Sequence, residues 1–121
     1  MKRILAVIFV VSLLLGCNSS EEKVNPIIKD FLVEHIANPD TYKPGNTEVI
    51  EQGSIDVEDT FNWRNIPDEG KIDVVVLRHE FTNVDVTGAA TDNAFLFYMN
   101  PEMDVLYYAH KDKGFPLFTI E

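Results

Sequence analysis

Residues 71–84 read Lys-Ile-Asp-Val-Val-Val-Leu-Arg-His-Glu-Phe-Thr-Asn-Val, and this stretch decides the fold. Val75, Leu77, His79 and Phe81 alternate with Val74, Val76, Arg78 and Glu80, which is the two-residue period of a β-strand. The second set passes from valine to charge along the run. One end of the strand is therefore expected to be buried on both faces and the other end on one.

Downstream, residues 94–99 and 105–110 form two further strand-like runs. Asn100-Pro101-Glu102-Met103-Asp104 joins them as a five-residue hairpin loop. Upstream, Thr47 to Val57 is another run, interrupted by Gly53, where a bulge or bend is expected. Phe115 to Ile120 is read as an edge strand or as an apolar tail.

Before the strands comes a helix, expected over residues 25–37. Asn25 is its candidate cap, and Pro26 suits the first helical position because its missing N–H has no intrahelical partner there. Ile27, Ile28, Phe31, Leu32 and Ile36 recur at helical spacing on one face. Asn38-Pro39 ends the helix, since proline pushes the residue before it out of the helical region. Asp40 to Gly45 is turn chemistry, with Tyr42 folded back on the core. A helix followed by antiparallel strands predicts an α+β domain, with one N-terminal helix packed on an antiparallel sheet of four to five strands. The long connection 58–70 holds Phe61, Trp63 and Ile66 among acids, and connections of that length are often functional.

The amino terminus has a different character. Lys2 and Arg3 precede an apolar run from Ile4 to Leu15, the pattern of a secretory signal. Twelve helical residues reach only about 18 Å against a hydrocarbon core of roughly 30 Å. Leu14-Leu15-Gly16-Cys17 resembles the bacterial lipobox, in which the cysteine thiol takes a diacylglycerol and a dedicated peptidase cleaves before it. That resemblance implies a signal peptide over 1–16, cleavage between Gly16 and Cys17, lipidation of Cys17, a tether over 17–23 and a single folded domain over 24–121. One acyl chain binds a membrane only marginally, whereas two or three, with palmitate a common third, hold stably. Asn18-Ser19-Ser20-Glu21-Glu22-Lys23 reads as a polar tether, and its serines and acids also resemble the surface-export signal of Bacteroidota lipoproteins. The expected location is the cell envelope, on the outer membrane, facing either the periplasm or the cell surface.

Loss of residues 1–16 removes two of the ten basic residues and none of the twenty acidic ones, leaving a net charge of −12 on 105 residues. Such a charge repels nucleic acid and anionic lipid and favours a cationic protein or peptide as partner. Cys17 is the only cysteine. Once acylated it leaves no thiol for disulfides, thiolate catalysis or metal ligation. Twelve of the thirteen aromatic residues lie beyond the signal, ample for a core.

The run Asn38-Pro39-Asp40-Thr41-Tyr42-Lys43-Pro44 resembles small uncharacterised Bacteroidota lipoproteins whose helix runs into Asp-Pro-x-Ser-Tyr-x-Pro. Their later His-x-Tyr/Phe-Arg-x-Asn strand and glycine pair are matched in part by His79-Glu80-Phe81-Thr82-Asn83 and Gly88-Ala89. Here the arginine is absent, the glycine pair is halved and Thr41 replaces serine. The likeness implies the same fold class and, since the group has no known activity, supplies no function.

Chemical motifs are sparse. His79-Glu80 with Asn83 lacks the second histidine of a zinc helix and lies in a strand pattern, so a sheet histidine is expected. Asn83-x-Asp85-x-Thr87-Gly88 imitates a calcium loop, but the closing bidentate acid would fall at Ala94, so a hairpin turn is expected. Ser54, the only serine beyond the tether, is not in a nucleophile elbow. His35, His79 and His110 are far apart in sequence. No catalytic residue, metal or cofactor is expected. The interaction candidates are Phe61, Trp63 and Arg64, residue types enriched at binding hot spots. The alternative places Phe61 and Trp63 in the core. The function expected is a membrane-anchored acidic module binding a protein or peptide outside the cytoplasm. Alternatives are an inhibitor or immunity-type protein against a basic toxin or hydrolase, an enzyme with dispersed catalytic residues, and a structural lipoprotein.

Overall fold

The computed structural model describes residues 23–60, 62–114, 118 and 120. The expected signal over 1–16, with Gly16 and Cys17, therefore lies outside the described residues. Helix α1 covers residues 23–33. The strands are β1 (Lys43–Asp56), β2 (Lys71–Val84), β3 (Ala90–Met99) and β4 (Leu106–Lys111), in the spatial order β1-β2-β3-β4. Every neighbouring pair is antiparallel. The domain is α+β, with one helix on a four-stranded antiparallel sheet.

β2 behaves as its sequence pattern requires. Val74, Val75, Val76 and Leu77 are all buried, whereas Glu80 at the other end is exposed. Val75, Leu77 and Phe81 join Phe97 and Met99 beneath α1. Val74 and Val76 join Ile55, Leu96 and Tyr98 on the opposite face. The sheet is therefore a shared wall between two apolar clusters.

α1 starts earlier and ends sooner than its sequence signals indicate. Lys23, Val24 and Asn25 are already helical, so Asn25 is not the cap. Val24, Ile28 and Leu32, spaced four apart, are the fully buried positions, and the stripe needs Val24 to cover the sheet. Ile27, Phe31 and Ile36 pack at its margins. After residue 33 the chain closes with two bonds into the Leu32 carbonyl, from the His35 and Ile36 amides at 2.9 Å. It then turns through Asn38, whose φ of 48° is left-handed, a conformation asparagine tolerates better than most residues. Pro39–Thr41 forms a single 3-10 turn.

That turn is stapled to β2. Asn38 Nδ2 donates to the Val84 and Asp85 carbonyls at 3.0 and 2.9 Å, Thr41 Oγ1 accepts from the Val84 amide at 2.8 Å, and Asn83 Nδ2 donates to the Ala37 carbonyl at 2.9 Å. Tyr42, folded back on the core as expected, packs on Phe81. The two segments 38–44 and 79–83, far apart in sequence, thus form one joint.

β1 departs from the expectation at Gly53, which pairs regularly with Val74. The irregularities fall between Pro44 and Thr47 and between Val49 and Glu51. At the first, a side chain on Gly45 would meet the Glu80 carbonyl at 2.8 Å, so the close backbone approach needs glycine. At the second, Ile50 is the extra residue, and Val49 and Ile50 remain 45 % and 46 % exposed. Asp85 to Ala89 is a hairpin turn, as expected. Asp85 Oδ1 accepts from the Thr87 hydroxyl and from the Ala89 and Thr87 amides, and these bonds, the hydroxyl foremost, hold its carboxyl below the usual range. Phe118 and Ile120 are not in the sheet and pack on the second cluster; the rest of the run Phe115 to Ile120, read as an edge strand or tail, lies outside the described residues.

Candidate functional site

The second face of the sheet is covered by the connection 57–70 rather than by a helix, and the site forms where that connection crosses β4. Asn62 and Asn65 both have positive φ, 66° and 62°. Two left-handed residues bracketing Trp63-Arg64 bend the chain on either side of the pair, sending one side chain in and the other out.

Trp63 goes in. It is 7 % exposed, stacks against Tyr107 and Tyr108 with interplanar angles of 15° and 7°, and meets Phe118 edge-on at 5.0 Å. Of the two placements expected for Trp63, in a partner-binding loop or in the core, its burial is that of the core: β3 and β4 supply a tyrosine surface that the indole closes over. Its Nε1 is buried without a hydrogen-bond partner among the described residues, an arrangement that costs roughly 1–3 kcal/mol. Phe61 lies outside the described residues.

Arg64 goes out. Its backbone amide donates to the Tyr107 carbonyl at 3.0 Å, and Asn65 Nδ2 donates to the Leu106 carbonyl at 3.3 Å. The loop is thereby pinned to the outer edge of β4. Tyr107 is the extra residue of a bulge, because Tyr98 pairs with Tyr108 while Met99 pairs with Leu106. Of the two arginines in the described chain, Arg78 is bound by Glu80 at 2.6 Å and Asp112 at 2.8 Å. Arg64 has no ion pair among the described residues and is exposed.

Opposite Arg64 stands the end of α1. His35 stacks on Phe31 with ring centroids 3.9 Å apart, and its Nδ1–H donates to the Phe31 carbonyl at 2.7 Å, which also accepts from the Glu34 amide at 3.2 Å. Between helix end and loop runs a cleft of about 660 Å³. Glu34 and His35 form one wall, Asn62, Arg64 and Asn65 the other, and Leu106, Tyr107, Tyr108 and Ala109 the floor. Successive strand residues point to opposite faces. A cleft floored by four consecutive ones therefore faces the edge of β4 and not one side of the sheet.

The other histidines are structural. His79 is fully buried, with its two ring nitrogens 2.7 Å from Tyr42 Oη and 2.6 Å from Thr47 Oγ1. Desolvation holds it neutral, lowered to about 4, against a small opposing pull from Glu80. His110 Nδ1 lies 2.9 Å from the Lys111 carbonyl, which can only accept. Nδ1 therefore carries the proton, and Nε2 takes the Tyr98 hydroxyl at 3.0 Å. Burial lowers His110 also and raises Tyr98 to about 12. Neither imidazole faces the cleft.

Of the cleft's lining, sequence reasoning singled out Arg64 and missed the rest, Glu34, His35 and Tyr107 among them. The flanking Asn62 and Asn65 were the available signal, since asparagine marks left-handed turns. Searches against family descriptions, curated proteins and solved structures find no match for this chain.

Proposed function

We propose that the chain is a lipid-anchored envelope module that binds a protein or peptide partner in the cleft between the end of α1 and the loop 62–65. The observation that carries this reading is Arg64, a guanidinium without an ion pair among the described residues, on the rim of an aromatic-floored cleft in a strongly acidic domain. Arginine beside aromatic surface is the combination most enriched where partners bind tightly. The net charge of −12 beyond the signal speeds encounter with a cationic partner and makes the association salt-sensitive. Lipid on Cys17 confines the module to a membrane and raises its effective concentration toward anything else held there.

Two measurements test the reading. Labelled palmitate should enter the parent chain and not Cys17→Ser, and equal labelling of both removes the anchor. Crosslinking in the native membrane should recover a partner from the parent that Arg64→Ala loses. Recovery of the same partners from both would place binding elsewhere, and recovery of none would remove the binding role.

A further inference from the structure

The outer edge of β4 is open at one end and closed at the other. β4 ends the sheet, so one side of its backbone takes no part in the ladder. The loop occupies that side at Leu106 and Tyr107. From Tyr108 to Lys111, no described loop or helix backbone bonds to it; the Lys111 carbonyl takes the His110 Nδ1–H, and Ala109 and the Lys111 amide are the groups left to a guest. An open edge presents N–H and C=O groups that an extended chain can pair.

A guest strand on this edge cannot pass Tyr107, because the carbonyls there are already taken and the loop stands in the way. The guest has to end or turn off at the loop, and the charge it meets is Arg64. An antiparallel guest runs from Lys111 toward Tyr107 and arrives with its carboxyl end. A parallel guest arrives with its amino end and meets a like charge. The guanidinium fork matches a carboxylate in two parallel bonds.

Resting on the peptide-binding role proposed above, we infer that the cleft receives the carboxyl-terminal end of an extended polypeptide. Its last residues lie antiparallel along β4, and its terminal carboxylate is on Arg64. Alternate side chains of the guest point to opposite faces of the sheet, one set toward the Phe31–His35 stack and the other toward the tyrosines. Glu34 and the acidic surface favour basic residues upstream of the terminus.

The test uses the full chain in detergent and a pool of fluorescein-labelled decapeptides with lysine-rich amino halves and varied carboxyl halves, made as free acids and as amides. Fluorescence anisotropy should show free acids binding about tenfold more tightly than their amides, the equivalent of about 1.4 kcal/mol. Arg64→Ala should abolish that preference and Arg64→Lys should restore part of it. N-methylation of the bound acids at alternate backbone positions should weaken one register and spare the other, which charge attraction alone would not do. Equal binding of acid and amide, with both lost in Arg64→Ala, overturns terminal capture and leaves the cleft as a binding site. Acid preference untouched by Arg64→Ala overturns the assignment to this cleft. Binding by neither form overturns both this inference and the peptide-binding role.

Discussion

The two faces of the sheet are closed by different kinds of chain. On one, α1 lays Val24, Ile28 and Leu32 over Leu77, Phe97 and Met99. Its buried polar side chains among the described residues are partnered: both ring nitrogens of His79 have hydroxyl partners, and Asn83 donates to the Ala37 carbonyl. On the other, an irregular connection brings Trp63 down onto Tyr98, Tyr107 and Tyr108, with Phe118 beside it. A helix satisfies its own backbone and needs from the sheet only apolar contact. A loop must find partners for its backbone elsewhere, and this one takes them from the edge of β4. That borrowing pins Arg64 at the rim. The helix face supplies stability, and the loop face, while also core, is the one that can carry a binding group.

The largest expected effect tests whether the loop face is core at all. Trp63→Ala should cost about 3–5 kcal/mol, and Ile28→Ala on the helix face about 2–5 kcal/mol, both read from urea unfolding midpoints. A loss below about 1 kcal/mol for Trp63→Ala would mean that the loop rides on the surface, and the equivalence of the two faces would fail.

Acid should act on the histidines beneath each face. His79 is lowered to about 4 by burial, against 6.5 for the free side chain. Between those values the unfolded chain holds a proton that the folded chain does not, so stability rises with pH there and is lost as pH falls from about 6.5 to about 4. The window is worth roughly 3 kcal/mol at most. His110, lowered in the same direction, adds to it. Asp85 and Asp112, held below 3.8 by their hydrogen bonds, contribute only under that range. Urea midpoints at about pH 7 and about pH 5 should differ in the parent and differ less in His79→Gln. An equal difference in both would assign the acid sensitivity to other groups.

Tyr42→Phe is the smaller probe of the helix face. It removes the hydroxyl 2.7 Å from His79 Nε2 and leaves that nitrogen buried without a partner, a loss of about 1–2 kcal/mol. The smallest effect belongs to the rim. Arg64→Ala removes an exposed side chain with no ion pair among the described residues and should change stability by less than about 0.5 kcal/mol. A large loss of stability would make Arg64 structural and merge the two roles that the loop keeps apart.

Much of the framework was legible because it is written in short-range periods. The double alternation of residues 71–84 determined a strand buried on both sides at one end, and the four-residue spacing through Ile28 and Leu32 determined the buried face of α1. Turn chemistry at 100–104 and 85–89 placed both hairpins. Gly53 misled because glycine permits a bulge without requiring one; register with β2 set the irregularities at Pro44/Thr47 and Val49/Glu51 instead. Asn25 misled because the helix had to reach Val24 to complete its stripe.

The side to which Trp63 and Arg64 point was a tertiary decision. Residues 57–70 carry no repeat that assigns a face, and only the bulge at Tyr107 and the tyrosines of β3 and β4 draw the indole inward. His35 joined the site for the same reason. Sequence separates it from Arg64 by 29 positions, and the antiparallel sheet places the helix end and the loop over one edge. Alternation and helical spacing are local consequences of backbone geometry and can be read from order alone. The cleft is a meeting of three segments that share no period, so it exists only once the sheet has brought them together.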